Sequence, residues 1–242
     1  MSDFNQGSGG DPFVGSFAAG KVMDSGLRAH MMRVYNYMAG ALGLSGLIAY
    51  LASSSPEFMQ TIYGSPLQWL VMLAPLGFIL ALSFGIRRMS FATAQMTFWG
   101  FAGVMGLSLS SIFMIYTDVS IVRAFLTTAA TFAAMSLWGY TTKRDLTQMG
   151  SFLMMGVIGL IIASVVNIFL KSTQLDFIVS IIGVGIFTLL TAYDTQKIKQ
   201  MYNEAWGSES LGKLALMGAL SLYLDFINLF MYLLRFMGDR RG

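Results

Sequence analysis

Three ionisable side chains stand where so apolar a chain leaves few: Asp225, Asp194 and Arg87. Asp225 is at the middle of the run Leu214 to Phe236 (LALMGALSLYLDFINLFMYLLRF), with eleven residues on either side. A helix of that length spans a bilayer, and at about 1.5 Å per residue the carboxyl lies roughly 16 Å from either end. An aspartate cannot snorkel that far to water. It must be neutral, paired or beside a wet cavity, and each option is chemistry inside the membrane. Asp194 falls near the end of a second apolar run (LLTAYDTQKIKQMY), and Arg87 closes a third (LALSFGIRRMS).

Two carboxylates brought close together cannot both ionise cheaply in a low dielectric, so they titrate as one coupled unit and share a proton. A guanidinium beside them pulls the other way, and whether it bridges the pair depends on that proton. Asp194, Asp225 and Arg87 are therefore a candidate pH switch. The deprotonated aspartates also offer hard oxygen ligands, so calcium, its shell completed by carbonyls or water, competes with the proton. Each residue has a plainer reading. Lys197, at i+3 from Asp194, can neutralise it as an ordinary surface pair. Asp225 can be satisfied by a hydrogen bond to a neighbouring helix, and Asn228 at i+3 can share its face. Arg87, with Arg88 as its more exposed companion, also fits a cytoplasmic anchor. Asn167 and Tyr232 are further candidates for the polar network, although such residues near helix ends ordinarily serve packing or interfacial anchoring.

The elements that position these residues follow from composition. Of 242 residues, 55% are hydrophobic and only 11% charged, and mean hydropathy is +0.65. Soluble domains carry roughly 25% charge, so this is a polytopic, all-α membrane protein whose first partner is the lipid bilayer. Cysteine is absent and histidine occurs once, which excludes disulfides, iron–sulfur clusters, thiolate metal sites and a His-rich zinc site. No cofactor is implied. The net charge of +3 is spread among loops without a basic stripe, so nucleic acid is not an expected partner.

Apolar stretches of spanning length predict seven helices at about 33–51, 67–86, 94–116, 121–140, 150–170, 177–198 and 214–236, together forming one domain over 31–242. Ser and Pro punctuate the first breaks, Lys143-Arg144-Asp145 a later one, and the third-to-fourth connection near Thr117 to Ser120 is very short. Residues 1–30 are Gly- and Ser-rich and lack the apolar core of a signal peptide, which predicts a disordered cytoplasmic tail. With the N-terminus cytoplasmic, inside segments hold ten of the fifteen basic residues. Arg123, Lys171, Arg235, Arg240 and Arg241 fall on the other face, and the basic C-terminus is the discordant datum. Six spans with a re-entrant segment is the alternative. In the N-in arrangement Arg87 and Asp194 lie near inner helix ends and Asp225 deeper, so a shared inner-leaflet site is geometrically possible.

With ALSLYLDFINLFMYLLRF at 219–236, AYDTQKIKQMY at 192–202 and GFAGVMGLSLSSIF at 100–113, the chain resembles the Bax inhibitor-1 family, also called transmembrane BAX inhibitor motif proteins, and in particular its bacterial YccA-like and YetJ-like members. The resemblance covers Arg28 to Arg241. It implies a last helix enclosed by six others in two three-helix layers, in a pH-sensitive calcium leak channel of the bacterial inner membrane. By motif, the family's two-aspartate sensor falls on Asp194 and Asp225, and its partner arginine aligns with Arg87, with Arg88 one residue away. Calcium and protons are the implied ions. Bacterial relatives are also associated with the membrane protease FtsH, which makes protease modulation without transport the alternative function.

Two enzyme readings are weaker. Intramembrane aspartyl proteases place one Asp in a Tyr-Asp pair, as Tyr193-Asp194 does, but their second motif keeps the backbone open with Gly-x-Gly-Asp, and Leu222-Tyr223-Leu224-Asp225 is bulky. Gly43-Leu44-Ser45-Gly46 is similar to the rhomboid nucleophile motif, but His30 lies fifteen residues earlier, roughly 22 Å along a continuous helix. The chain is therefore not expected to be an enzyme.

Overall fold

The computed structural model describes the backbone of residues 12–241 and the side chains of residues 25–241. Its helices are α1 (Pro12–Ser53), α2 (Pro56–Tyr63), α3 (Leu67–Gly85), α4 (Phe91–Leu109), α5 (Ile112–Ile115), α6 (Asp118–Thr141), α7 (Thr147–Leu170), α8 (Thr173–Met201) and α9 (Ser208–Met237). Among the described residues, seven stretches are long and apolar enough to cross a membrane: Ser25–Ser53, Leu67–Gly85, Phe91–Ile115, Asp118–Thr141, Thr147–Leu170, Thr173–Met201 and Ser208–Met237. The chain is a multi-pass membrane protein, and the ends of the predicted spans agree with these to within eight residues, the largest difference being at the start of the first.

Polar residues set where several crossings begin. Ser90, Thr117 and Ser172 precede α4, α6 and α8, and each side-chain oxygen accepts from the backbone N–H three residues on, at Thr93, Ser120 and Leu175. Without water in the bilayer, every such backbone donor needs a partner within the protein.

The last helix is the centre of the fold. Leu216, Ala219, Leu222, Phe226, Leu229 and Leu234 are buried on all sides of α9, which packs against α8, α1, α6 and α4. A helix apolar all round belongs in such a position. Around it, α1, α3 and α4 form one layer and α6, α7 and α8 the other. The outermost helices are α3 and α7, whose Leu70, Phe84, Phe152 and Phe169 are exposed as expected of lipid-facing side chains. The two-layer arrangement that the resemblance implies is thus present.

Hydrogen bonds fasten α9 to the first layer. Ser45 Oγ donates to the Ala102 carbonyl at 2.7 Å, and the fully buried Tyr223 hydroxyl donates to Ser45 at 2.7 Å. A second chain, Tyr35 to Ser136 at 2.6 Å and Ser136 to Thr195 at 3.0 Å, joins the layers through α1, α6 and α8. Close approach of α1 and α4 depends on Gly106, where an added Cβ would stand 2.7 Å from the Ser45 carbonyl oxygen.

Two expectations change. Helix α1 runs back to Pro12, so the disordered tail is corrected from that residue onward, while residues 1–11 lie outside the described residues. Proline at a first helical turn costs no hydrogen bond, and no second proline follows before Pro56. The discordant C-terminal charges also have local partners. Arg235 and Arg240 reach Asp176 at 3.4 and 3.8 Å, and Arg241 reaches Asp118 at 2.6 Å. The last residues are tied down further, since the Thr117 N–H donates to the Asp239 carbonyl and the Arg241 N–H to that of Ile115.

Replacing Gly106 by isoleucine should therefore wedge α1 from α4 and lower stability by about 1–3 kcal/mol. Thermal unfolding in detergent reads this directly. Gly43→Ala is the control, because a Cβ there meets nothing within 4 Å, and it should cost nothing.

Candidate functional site

One polar stripe interrupts the apolar surface of α9. Ser221, Asp225, Asn228 and Tyr232 recur at i, i+4, i+7 and i+11, the spacing of a single helical face. That face looks into a cavity of about 330 Å³ between α7, α8 and α9, lined by all four residues and by Asp194 of α8. Leu160, Ile161, Phe187 and Leu190 supply much of its apolar wall.

Asp225 is 5% exposed, and its Oδ2 is buried without a hydrogen-bond partner. Among the described residues, no ion pair reaches it. A negative charge held in this way is expensive, so the arrangement calls for a proton, a cation or water at that oxygen. Asp194 is placed differently. Its Oδ2 accepts a 2.7 Å hydrogen bond from Ser221 Oγ, so α8 and α9 are joined across the cavity. Asp225 lies one turn beyond Ser221, about 6 Å along the axis, and both aspartates line the same cavity.

The sequence-predicted residues divide accordingly. Asp194 and Asp225 share the cavity. Asn228 joins them; its Nδ2 donates to the Leu224 carbonyl at 2.8 Å, which leaves Oδ1 as an acceptor. Lys197 is exposed and lies over the Tyr193 ring, 5.8 Å from its centroid, so the surface pair with Asp194 is not closed at contact distance. Arg87 and Arg88 are not brought to the aspartates. They are exposed in the turn after α3, which packs on α4 and α2 at the flank of the other layer. The shared site with Arg87 is thus corrected for this arrangement: span order gives depth along the membrane normal, whereas lateral position is set by helix packing. Asn167 caps the turn after α7 by accepting from the Ser172 N–H at 3.0 Å, while Tyr232 lines the cavity.

Ser221 is the residue that sequence reading missed. Its signal was available, because it stands one turn before Asp225 and opens the polar stripe. The backbone through Leu222 to Asp225 is continuous helix, so the opening that a Gly-x-Gly-Asp motif supplies is not formed. Ser45 is engaged with Ala102 and Tyr223, and His30 packs against Tyr202, 5.4 Å between ring centroids.

Among the described residues, no three His, Cys, Asp or Glu side chains converge on a metal position. A hard cation in the cavity would take oxygen from Asp194 and Asp225, assisted by Ser221 Oγ, Asn228 Oδ1 and water. Calcium accepts such mixed, flexible shells.

Comparison with known proteins places the chain. The profile of the family described as "Inhibitor of apoptosis-promoting Bax1" matches residues 27–242. An uncharacterised protein of Rickettsia prowazekii is 52% identical over 221 residues, covering 91% of this chain and 94% of its own. A Caulobacter vibrioides protein, also uncharacterised, is 44% identical over the full length of both chains. "Inner membrane protein YbhL" of Escherichia coli is 43% identical over 220 residues, 90% of this chain and 94% of the relative.

The Ser221–Asp194 bond should be measurable as a coupling. In a double-mutant cycle of Ser221→Ala with Asp194→Ala, an interaction energy of about 0.5–3 kcal/mol is expected in the unfolding free energy. Additive effects of the two substitutions would show that the hydrogen bond contributes nothing.

Proposed function

Because this chain belongs to the Bax inhibitor-1 family and carries two aspartates in one intramembrane cavity, we propose that it is a pH-sensitive calcium-permeable leak channel. The observation that carries this reading is the buried, unpartnered Oδ2 of Asp225, which shares a cavity with Asp194, on the central helix that packs against α8, α1, α6 and α4. A bacterial inner membrane is the proposed location, in keeping with the name of the Escherichia coli relative, with the N-terminus in the cytoplasm.

The proposed cycle needs only the residues of the cavity. With a proton shared between them, Asp194 and Asp225 lose their mutual repulsion, and α8 and α9 stay packed across the Ser221 hydrogen bond. Without that proton, two like charges in a confined apolar space favour separation of the helices or recruitment of a divalent cation. Proton and calcium therefore compete for one site, and calcium passage falls as the pair takes up its proton. Arg87 and Arg88 act in this reading as interfacial anchors. Asp194 and Asp225 bind ions and have no catalytic step assigned to them.

The test is calcium entry into liposomes carrying the purified protein, followed from about pH 5 to about pH 8, the window in which a coupled pair in an apolar site can titrate. Flux should depend on pH, and its profile should flatten in both Asp225→Asn and Asp194→Asn. Folded wild-type protein that passes no calcium anywhere in this range would sink the transport reading.

A further inference from the structure

The groove bounded by α7, α8 and α9 holds a second cavity. It has a volume of about 500 Å³ and is lined on these helices chiefly by Ser164, Asn167, Asp176 and Arg235, and is closed at its far side by Ile115 and Tyr116 at the end of α5 and by Arg240 beyond α9. The two cavities follow one another in register. Ile161 gives way to Ser164 on α7, Phe187 to Val179 on α8 and Tyr232 to Arg235 on α9, so they lie end to end along the same three helices. Arg235 is also the next member of the polar stripe, three residues beyond Tyr232.

Tyr232 stands at their junction. Its ring lies directly on Gly183 of α8, where an added Cβ would be 2.6 Å from ring carbons. It stacks on Phe187 with centroids 5.7 Å apart and planes at 25°. The Arg235 guanidinium, whose side chain lines the second cavity, lies 5.7 Å from the ring centroid. A glycine facing a tyrosine gives the ring a flat seat with no side chain to trap it. One side chain therefore lies between the two sets of lining residues and can move by rotation about its own χ angles.

We propose that Tyr232 is the movable partition of a single path along the α7–α8–α9 groove, separating the aspartate cavity from a mouth at Asp176, Arg235 and Arg240. Displacement of the ring from Gly183 joins the two cavities. At the mouth, two guanidinium groups face one carboxylate, so a cation meets an electropositive entrance and then the ring, two barriers in series. The partition rests on the transport reading only for what passes it.

The test uses the absence of cysteine from this chain, which makes a single introduced thiol free of background. Leu160→Cys places that thiol in the aspartate cavity, and a charged, membrane-impermeant methanethiosulfonate reagent is applied to the full-length protein in lipid nanodiscs. Labelling should be slow with Tyr232 present, stay slow in Tyr232→Phe, and rise on the order of tenfold in Tyr232→Ala. Gly183→Ala, which pushes the ring from its seat, should raise it as well and serves if Tyr232→Ala fails to fold. An unchanged rate in every folded variant would overturn the partition, as would a rise in Tyr232→Phe equal to that in Tyr232→Ala. Calcium flux on the same preparations separates the two ideas. Faster labelling with no flux in any variant sinks the transport reading and leaves the partition. Flux with labelling indifferent to Tyr232 and Gly183 sinks the partition and leaves transport.

Discussion

A carboxyl group at the middle of a membrane-crossing helix cannot face lipid, and the rest of this structure follows from that constraint. Lipid tails offer Asp225 neither hydrogen bonds nor counter-charge, so α9 has to be enclosed by protein. Enclosure needs helices on every side. The chain supplies them as two layers, α1, α3 and α4 against α6, α7 and α8, with α9 between. The two faces of α9 then have different tasks. Tyr223 fixes it to the first layer through Ser45 and Ala102, while Ser221, Asp225, Asn228 and Tyr232 open on the groove of the second. One face is a fixed support and the other carries the polar groups.

This division would let the proposed switch act without dismantling the fold. The Ser221–Asp194 hydrogen bond is the polar tie between α8 and α9 at the cavity, and it acts on a carboxylate that shares this cavity with Asp225. A change of charge in the cavity alters the balance across one helix pair, whereas the Tyr223 clasp on the opposite face is untouched. Charge changes at a discrete, packed contact bias one arrangement against another rather than deforming the whole continuously.

Much of this was legible in the sequence, for identifiable reasons. Spans are written in long apolar runs, and a lone mid-span aspartate announces itself because the cost of placing it there is high. That Asp194 and Asp225 come to one cavity was legible from depth and motif. The place of Arg87 was not, since hydropathy orders residues along the membrane normal and carries no record of which helix packs on which. α3 ended on the outer flank of the layer opposite the cavity. Ser221 was overlooked because a serine in a membrane helix is unremarkable by type, and only its register with Asp225, Asn228 and Tyr232 reveals it. The C-terminal arginines looked discordant while charges were counted by face. Their acids, Asp176 and Asp118, lie distant in sequence and near in space.

Whether Asp194 and Asp225 titrate as one unit is the central claim, and infrared difference spectroscopy in lipid addresses it most directly by following the carboxylic-acid carbonyl band as pH and calcium are varied. A coupled pair predicts a band lost on deprotonation, displaced by calcium, and shifted in its titration by Asp225→Asn and by Asp194→Asn alike. A band indifferent to calcium, or two carboxyls that titrate independently of one another, would contradict it.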